Sequence, residues 1–215
     1  RELAGLGGGV SAAALRGYAT VGGLPRDELL IALLGELQRG YAWAFPAGDG
    51  GWNVGCGVFA GARQAASLRI VLDRFLAACG GSWREPPQGA PLVTSFPALR
   101  IARGNLAAIG EAAGLTRPFS GEGIGPALES GILAARCLLA EPGEAGIGAY
   151  AAALRRRYAA DFRAWRFGEQ FLRFPRLVDT IVRRANRFPG ALRRCAAVLG
   201  GTMPATRELS PWGLV

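Results

Sequence analysis

The stretch NLAAIGEAAGLTRPFSGEGIGPALESGILAA, residues 105–135, decides the fold that we predict for this chain. The apolar run 106–109 is typical of a buried strand and ends at a Gly110-Glu111 corner. A loop rich in Pro and Gly follows, and a helical pattern starts at Glu122. Such a helix start directs backbone N–H groups and a partial positive charge to one point, which suits an anionic or electron-rich ligand. The alternative is an ordinary strand-loop-helix unit in which Glu111 is solvated.

The composition bounds both the fold and the chemistry. Half of the 215 residues are hydrophobic, which is enough for a sizeable core. All 25 cationic side chains are Arg and there is no His. The chain therefore cannot build a Ser-His-Asp triad, a Cys-His pair, a His-containing zinc site or a His general base. The cysteines lack C-x-x-C spacing and are predicted to be free thiols in a reducing compartment: Cys56, Cys79, Cys137 and Cys195.

The sequence shows neither a secretory leader nor an uncharged apolar run long enough to span a bilayer. We expect a cytoplasmic protein, with peripheral association at the inner face of the membrane as an open alternative. The chain begins with Arg1 and its only Met is Met203, so we also expect that a segment N-terminal to it is missing.

The positive charge is concentrated near the C-terminus. Residues 155–194 hold 12 Arg and three acidic residues, so the whole formal charge of +9 lies in this segment. The simplest interpretation is a solvated face. An amphipathic surface on anionic lipid, or a collar for a diphosphate or phospholipid head group, also fits the interleaved aromatic residues. Nucleic acid is disfavoured because no recognised binding motif accompanies the charge.

A hairpin is predicted between residues 40 and 59, where GYAWAFP and WNVGCGVF flank the turn sequence GDGG. A two-residue turn at Asp49-Gly50 would place Trp43 opposite Cys56. One face would then be aromatic and the other nearly bare, which lets a flat molecule approach. The alternative packs the aromatic side chains into a core. Residues 55–60 also match G-x-G-x-x-A, but a strand within a tight hairpin argues against a dinucleotide-binding turn.

The remaining apolar patterns predict strands at residues 15–21, 29–34 and 92–95, and helices at residues 64–78 and from 122 to about 139. From residue 147 the chain is predicted to be helical, with later helices at about residues 175–186 and 189–199. The first of these C-terminal helices carries one apolar stripe, formed by Tyr150, Leu154, Tyr158, Phe162 and Trp165.

Two motifs carry a resemblance to known proteins. Gly110-Glu-Ala-Ala-Gly114, with Pro118-Phe-Ser-Gly-Glu-Gly-Ile124 and Ala127-Leu-Glu-Ser-Gly131, resembles the second flavin-binding motif of FAD-dependent oxidoreductases of the p-hydroxybenzoate hydroxylase fold. Tyr41-x-Trp43-x-Phe45-Pro46, followed after eight residues by Gly55-x-Gly57, resembles the signature of the geranylgeranyl reductase family within that fold. The resemblance covers about residues 15–140, and beyond residue 145 it is only to a generic helical region.

The resemblance implies an α+β chain within a larger FAD/NAD(P)-binding α/β fold. It has an antiparallel substrate-domain sheet with a hairpin (residues 1–100), a flavin-contacting strand-loop-helix (101–145) and a C-terminal helical region (146–215). The N-terminal Rossmann half of that fold is absent from this sequence. We therefore expect weak FAD binding and no turnover by the chain alone.

The resemblance also implies the site. FAD would be contacted by Gly110, Glu111, Ala112, Gly114, Pro118, Gly121, Glu122, Gly123 and Ile124. The binding site for a prenyl lipid or isoprenoid quinone would be lined by Tyr41, Trp43, Phe45, Pro46, Gly55, Cys56 and Gly57. The family saturates isoprenoid double bonds by hydride transfer from the flavin N5, so no catalytic side chain and no metal are expected, and NAD(P)H or another reductant would supply electrons. The family usually has Asp where Glu111 stands.

Two alternatives remain open from the sequence. One is a flavin-dependent monooxygenase or halogenase of the same fold, which would be favoured by aromatic side chains buried away from the flavin. The other is an inactive truncated remnant that binds membranes peripherally.

Overall fold

The computed structural model describes residues 11–37, 39–59, 68–96, 100–171 and 174–188, with residues 190, 193, 194 and 197. The chain forms two compact units that adjoin in the sequence between Leu92 and Val93. We call the described residues up to Leu92 the sheet unit and those from Val93 onward the helical unit.

The sheet unit is an antiparallel sheet covered by one helix. Its strands are β1 (Ala12–Val21), β2 (Leu30–Ala32), β3 (Gly40–Pro46), β4 (Trp52–Val58), β5 (Gly81–Trp83) and β6 (Gln88–Leu92), and its helix is α1 (Leu68–Ala78). The spatial order is β2-β3-β4-β1-β5, and β6 also pairs with β1. This arrangement confirms the predicted antiparallel sheet with its hairpin. The first four residues of the predicted helix 64–78 lie outside the described residues.

One predicted strand is misplaced. Residues 92–95 were expected to form it, but β6 ends at Leu92 and carries Pro91 within the strand. Pro91 is tolerated because β6 pairs on one side only, with β1. Beyond β6, Val93 and Thr94 are buried in the helical unit.

The core of the sheet unit forms where α1 packs on one face of the sheet. Every third or fourth residue of α1 is buried, as the predicted helical periodicity requires: Leu68, Val71, Leu72, Phe75 and Leu76. The sheet contributes alternate residues of β3 and β4 to the same cluster: Ala42, Ala44, Val54, Cys56 and Val58. The opposite face of β3 and β4 is left for other contacts.

The helical unit contains the hairpin β7 (Ala102–Arg103) and β8 (Leu106–Ala107), a 3-10 helix at Gly110–Ala113, and the helices α2 (Ile124–Ala140), α3 (Glu144–Phe171) and α4 (Pro175–Arg187). The predicted buried strand at 106–109 is wrong in length and burial. Only two residues pair, and Leu106 and Ile109 are about half exposed, at 52% and 46%. The chain bends away after Ala107 because Gly110 opens the 3-10 helix with a φ of +53°.

The C-terminal helices follow the predicted pattern. The apolar stripe of α3 is fully buried, which confirms its prediction. Its first four residues share one core cluster with Ile101, Leu115 and Ala134 of α2. Helix α4 ends one residue beyond the predicted end. Most of the predicted helix 189–199 lies outside the described residues. Within the described part of the chain, no helix is long and apolar enough to cross a membrane.

Candidate functional site

The corner predicted at Gly110-Glu111 is fixed to helix α2 by one buried hydroxyl. The Gly110 N–H donates to the Ser130 Oγ at 2.9 Å, and that hydroxyl donates to the Ala127 carbonyl oxygen at 3.0 Å. Ser130 is fully buried. A Cβ atom on Gly110 would lie 3.0 Å from the Ala127 Cβ, so glycine allows both the positive φ and the close approach.

The 3-10 helix that follows presents one carboxylate to solvent. Glu111 lies in its first turn and is exposed, while Ala113 is buried beneath it. Gly114 ends the turn in the left-handed region, with a φ of 76°, and its N–H donates to the Glu111 carbonyl oxygen at 2.8 Å. The Leu115 N–H closes the turn on the Gly110 carbonyl oxygen at 3.1 Å. The backbone therefore positions Glu111 at the rim of the corner.

The next loop is closed on itself and supported from below. The Arg117 N–H donates to the Glu122 carbonyl oxygen at 2.8 Å, and the Gly121 N–H donates to the Arg117 carbonyl oxygen at 3.0 Å. Beneath the loop, the Trp165 ring of α3 lies 6.0 Å from the Phe119 ring and 5.8 Å from the Arg117 guanidinium carbon. Trp165 is only 1% exposed, so α3 forms a rigid base for the loop.

Two glycines, Gly123 and Gly125, flank Ile124 at the start of α2. Gly123 is the N-cap and makes no side-chain cap hydrogen bond. Glu122 accepts the Gly125 N–H at 2.7 Å and forms an ion pair with Arg117 at 3.2 Å. A Cβ atom on Gly123 would lie 3.1 Å from the Thr116 Oγ1. Pro126 has no N–H, so the Ile124 N–H is the remaining donor of this first turn that has no intrahelical partner, and a helix start of this kind favours an anionic or electron-rich ligand.

Helix α3 supports the corner through two tyrosines of its buried stripe. The Tyr150 hydroxyl donates to the Ala108 carbonyl oxygen at 2.7 Å, and burial raises the pKa of Tyr150 to about 12. The Tyr158 hydroxyl donates to Glu129 of α2, which also accepts the Arg157 Nε–H at 2.6 Å. The apolar periodicity places these tyrosines in a core stripe but does not predict their hydrogen bonds. The role of Ser130 is not predicted either, although a polar residue between apolar helix positions is a signal for it.

The hairpin pairs one residue out of the predicted register. Its loop runs from Ala47 to Gly51 and is closed by the Ala47 N–H donating to the Gly51 carbonyl oxygen at 2.8 Å. Trp43 therefore lies opposite Gly55, and not opposite Cys56 as the two-residue turn required. The predicted separation into an aromatic face and a bare face is wrong. Aromatic and glycine residues share one face, which we call the aromatic face: Tyr41, Trp43, Phe45, Gly55 and Gly57.

The aromatic face is half-buried and ordered by its own contacts. The Trp43 Nε1–H donates to the Asn53 Oδ1 at 2.9 Å. The Trp43 ring lies 5.8 Å from the Tyr41 ring and 6.3 Å from the Phe45 ring. Burial raises the pKa of Tyr41 to about 12, so its phenol is neutral at physiological pH. The five residues of the aromatic face carry no formal charge, which suits an apolar chain, and exposed Arg16 of β1 borders them opposite Gly55.

Glycine at position 55 makes room for the Trp43 ring. A Cβ atom on Gly55 would lie 2.2 Å from a carbon of that ring and 2.8 Å from the Leu15 carbonyl oxygen. At Gly57 the nearest atom would be the Ala13 carbonyl oxygen at 3.4 Å, which is an ordinary contact. Gly55 therefore allows the Trp43 ring to lie against the sheet, whereas the position of Gly57 tolerates a methyl group.

Cys56 lies on the other face of the sheet. Its side chain is fully buried in the core and its thiol donates to the Leu68 carbonyl oxygen at 3.6 Å. Burial raises the pKa of Cys56 to about 12. The structure therefore separates Cys56 from the other predicted substrate-lining residues. Pro46, at the end of β3, pairs with Trp52. Among the described residues no cluster of potential ligands could hold a metal ion.

The fold is that of FAD-dependent hydroxylase-type proteins. A geranylgeranyl bacteriochlorophyll reductase-like protein of Thermoplasma acidophilum superposes with a TM-score of 0.68 at 21% identity, covering 85% of this chain and 53% of that one. The Klebsiella pneumoniae protein HpxO, solved with FAD, gives a TM-score of 0.60 at 15% identity and covers 95% of this chain and 55% of its own. These similarities confirm the predicted fold class.

Sequence relatives are more specific. The chain is 30% identical over 189 residues to a menaquinone reductase of Mycolicibacterium smegmatis, which covers 83% of this chain and 45% of that relative. It is 37% identical over 102 residues to digeranylgeranylglycerophospholipid reductase 3 of Methanosphaera stadtmanae, which covers 45% of this chain and 25% of that relative. No protein-family model matches. The resemblance to geranylgeranyl-reductase-like proteins is confirmed, and the chain spans less than half the length of these curated relatives.

Proposed function

We propose that the chain is the substrate-facing part of an FAD-dependent reductase that saturates C=C bonds in the isoprenoid chain of a prenyl lipid or quinone. The aromatic face carries this proposal. Its residues carry no formal charge, its aromatic side chains are half-buried, and Trp43 is held across Gly55 by its hydrogen bond to Asn53. The printed names of the relatives, which include a menaquinone reductase and a digeranylgeranylglycerophospholipid reductase, support the same substrate class.

The helical unit fits FAD at the corner of Gly110 and the start of α2. Added Cβ atoms at Gly110 and Gly123 would meet the Ala127 and Thr116 side chains at 3.0 and 3.1 Å, so glycine at both positions permits the close packing of the corner. Exposed Glu111 is an acceptor for hydroxyl groups, as a sugar-like chain provides. N–H groups at the helix start favour an electron-rich edge. These features support a flavin nucleotide as the ligand of the corner.

When bound, FAD would supply a hydride for one alkene carbon, and a proton would reach the other, so each saturated bond gains two hydrogens. This chain's residues would bind and orient. Gly110, Gly114 and the loop from Pro118 to Ile124 would let the cofactor lie close to the backbone. Tyr41, Trp43 and Phe45 would hold the prenyl chain flat and exclude water. Neutral Tyr41 adds no charge to this apolar surface.

Two further parts belong to the proposal. NAD(P)H or another reductant would return electrons to the cofactor. A peripheral contact with the inner face of the membrane through residues 155–194 would bring the enzyme to a lipid-soluble substrate.

The observation that favours a reductase over a monooxygenase or halogenase is the position of the aromatic side chains. Tyr41, Trp43 and Phe45 are half-buried and lie on the sheet face opposite the core of the sheet unit. Packing into that core would have removed them from any ligand.

The experiment is anaerobic titration of the purified gene product that carries this chain. We expect a flavin spectrum that bleaches with reductant and recovers when a polyprenyl quinone is added. Gly123→Val should abolish the flavin spectrum, and the matched Gly148→Val should keep it, because a Cβ on Gly148 meets nothing within 4 Å. A product that binds no flavin would contradict the proposal.

A further inference from the structure

Helix α4 separates apolar and basic side chains along its length. Its apolar positions recur at i, i+3, i+4 and i+7, and at 3.6 residues per turn they fall within an arc of about 140°. The helix contains four Arg and one acidic residue, and the Arg side chains project from the rest of its circumference: Arg176, Arg183, Arg184 and Arg187. The helix is therefore amphipathic, with a net positive polar side.

The apolar side is exposed. Five large hydrophobic side chains on or beside α4 are between 36% and 60% exposed: Phe174, Leu177, Ile181, Val182 and Phe188. They follow one face from the residue before the helix to the residue after it. We call this set the α4 apolar face. An exposed apolar surface of this kind marks an interaction site.

The basic side chains discriminate between occupants. Asp179 forms only a long ion pair with Arg183, at 4.0 Å, so most of the positive charge on α4 is not neutralised by the helix itself. A second copy would bring an equally basic segment against the first, because residues 155–194 carry the whole formal charge of +9. Nucleic acid would use the charge but leave the apolar face exposed. An anionic bilayer satisfies both surfaces.

We propose that α4 is a membrane-docking helix that lies in the plane of an anionic bilayer, with the α4 apolar face among the acyl chains. Thirteen residues span about 20 Å of helix, too short to cross the hydrocarbon core but enough for a surface-bound helix. Arg184 borders the apolar arc, where its stem covers apolar surface and its guanidinium reaches lipid phosphate. Only the biological role of this docking rests on the proposed function, because an isoprenoid lipid substrate resides in the bilayer.

The test is co-sedimentation of the chain with vesicles of phosphatidylcholine alone or mixed equally with phosphatidylglycerol. We expect binding to the anionic vesicles that weakens at high salt. Ile181→Glu should reduce the partition coefficient about tenfold or more. The matched control is Ile70→Glu, which replaces an isoleucine that is 60% exposed on α1 and should leave binding unchanged. Arg184→Glu should weaken binding to anionic vesicles by about fivefold or more.

Circular dichroism of each variant confirms that it folds, so a loss of binding is attributed to the surface. Vesicle binding by Ile181→Glu equal to that of the unmodified chain would overturn the proposal. So would concentration-dependent dimerisation that this substitution abolishes, because the face would then be occupied by a second copy. A second assay separates the two hypotheses: the natural protein that carries this chain should reduce a detergent-dispersed substrate equally well with and without Ile181→Glu. Failure of that reaction in the unmodified protein, with vesicle binding intact, would contradict only the proposed function.

Discussion

Ser130 is the side chain on which the corner at Gly110 depends, and Ser130→Ala tests this directly. The substitution keeps the helix, since Ala has a higher helix propensity than Ser. It removes the acceptor of the Gly110 N–H, which lies 2.9 Å from the Ser130 Oγ in a fully buried position. The Ala127 carbonyl oxygen loses only a second hydrogen bond, because it also lies within the helical ladder of α2.

The expected cost follows from the orphaned donor. A buried N–H left without a partner costs about 1–3 kcal/mol, and the void left by the removed hydroxyl oxygen is small. The higher helix propensity of Ala offsets about half a kcal/mol of this cost at most. We therefore expect Ser130→Ala to lower the free energy of unfolding by about 1–2 kcal/mol, which shifts Tm by about 2–8 °C in a protein of this size.

Urea unfolding monitored by tryptophan fluorescence measures this change, because Trp165 is buried in the same helical unit, beneath the loop that follows the corner. The matched control is Thr180→Ala. Its exposed hydroxyl donates to the Arg176 carbonyl oxygen on α4 at 2.9 Å, and its removal should change stability by less than about half a kcal/mol. Equal stabilities of Ser130→Ala and the unmodified chain would refute the role assigned to this hydroxyl.

Three further changes probe other parts of the structure. Gly55→Ala should destabilise the sheet unit by about 1–3 kcal/mol, because its Cβ would meet Trp43 and the backbone, whereas Gly57→Ala should be nearly neutral in the same thermal melt. Partial burial raises the pKa of Glu129, but hydrogen bonds from Tyr158 and Arg157 outweigh it and the net shift is downward, so its stabilisation is present above the unfolded-state pKa and is lost in acid. The difference in free energy of unfolding between the unmodified chain and Glu129→Gln should therefore shrink as pH falls below about 4. A difference that does not depend on pH would contradict a stabilising role for the Glu129 carboxylate. Mass spectrometry after treatment with a thiol reagent should find Cys56 unmodified until the chain is unfolded, and rapid labelling of native protein would contradict its burial.

The long helices were predictable because their pattern is local and repeated. Five residues of α3 share one face, and helical periodicity alone requires them to be buried together. The motif around Gly110 was predictable for a similar reason, since glycines followed by a helix start allow few backbone conformations.

The hairpin register was not predictable from the residues alone. GDGG is compatible with a two-residue turn and with the five-residue loop that the structure shows, and one residue of difference moves every pairing. The loop is selected by contacts distant in sequence. Arg26 donates to the Gly50 carbonyl oxygen at 2.6 Å, and Arg84 forms an ion pair with Asp49 at 2.7 Å. Sequence spacing contains no information about such partners.

The short strand at residues 106–107 shows a second limit. An apolar run indicates burial only when another element covers it, and in the described structure Leu106 and Ile109 are half exposed. The sequence pattern could not determine which surface covers these side chains.

We infer that the natural protein carrying this chain adds two hydrogens to an isoprenoid double bond. Mass spectrometry of a polyprenyl quinone after incubation with that protein and a chemical reductant measures it most directly. We expect a product heavier by two hydrogens for each saturated bond, and a markedly smaller yield from Gly55→Ala than from Gly57→Ala. A substrate that gains oxygen or halogen, or that is recovered unchanged from a protein with bound FAD, would contradict the account.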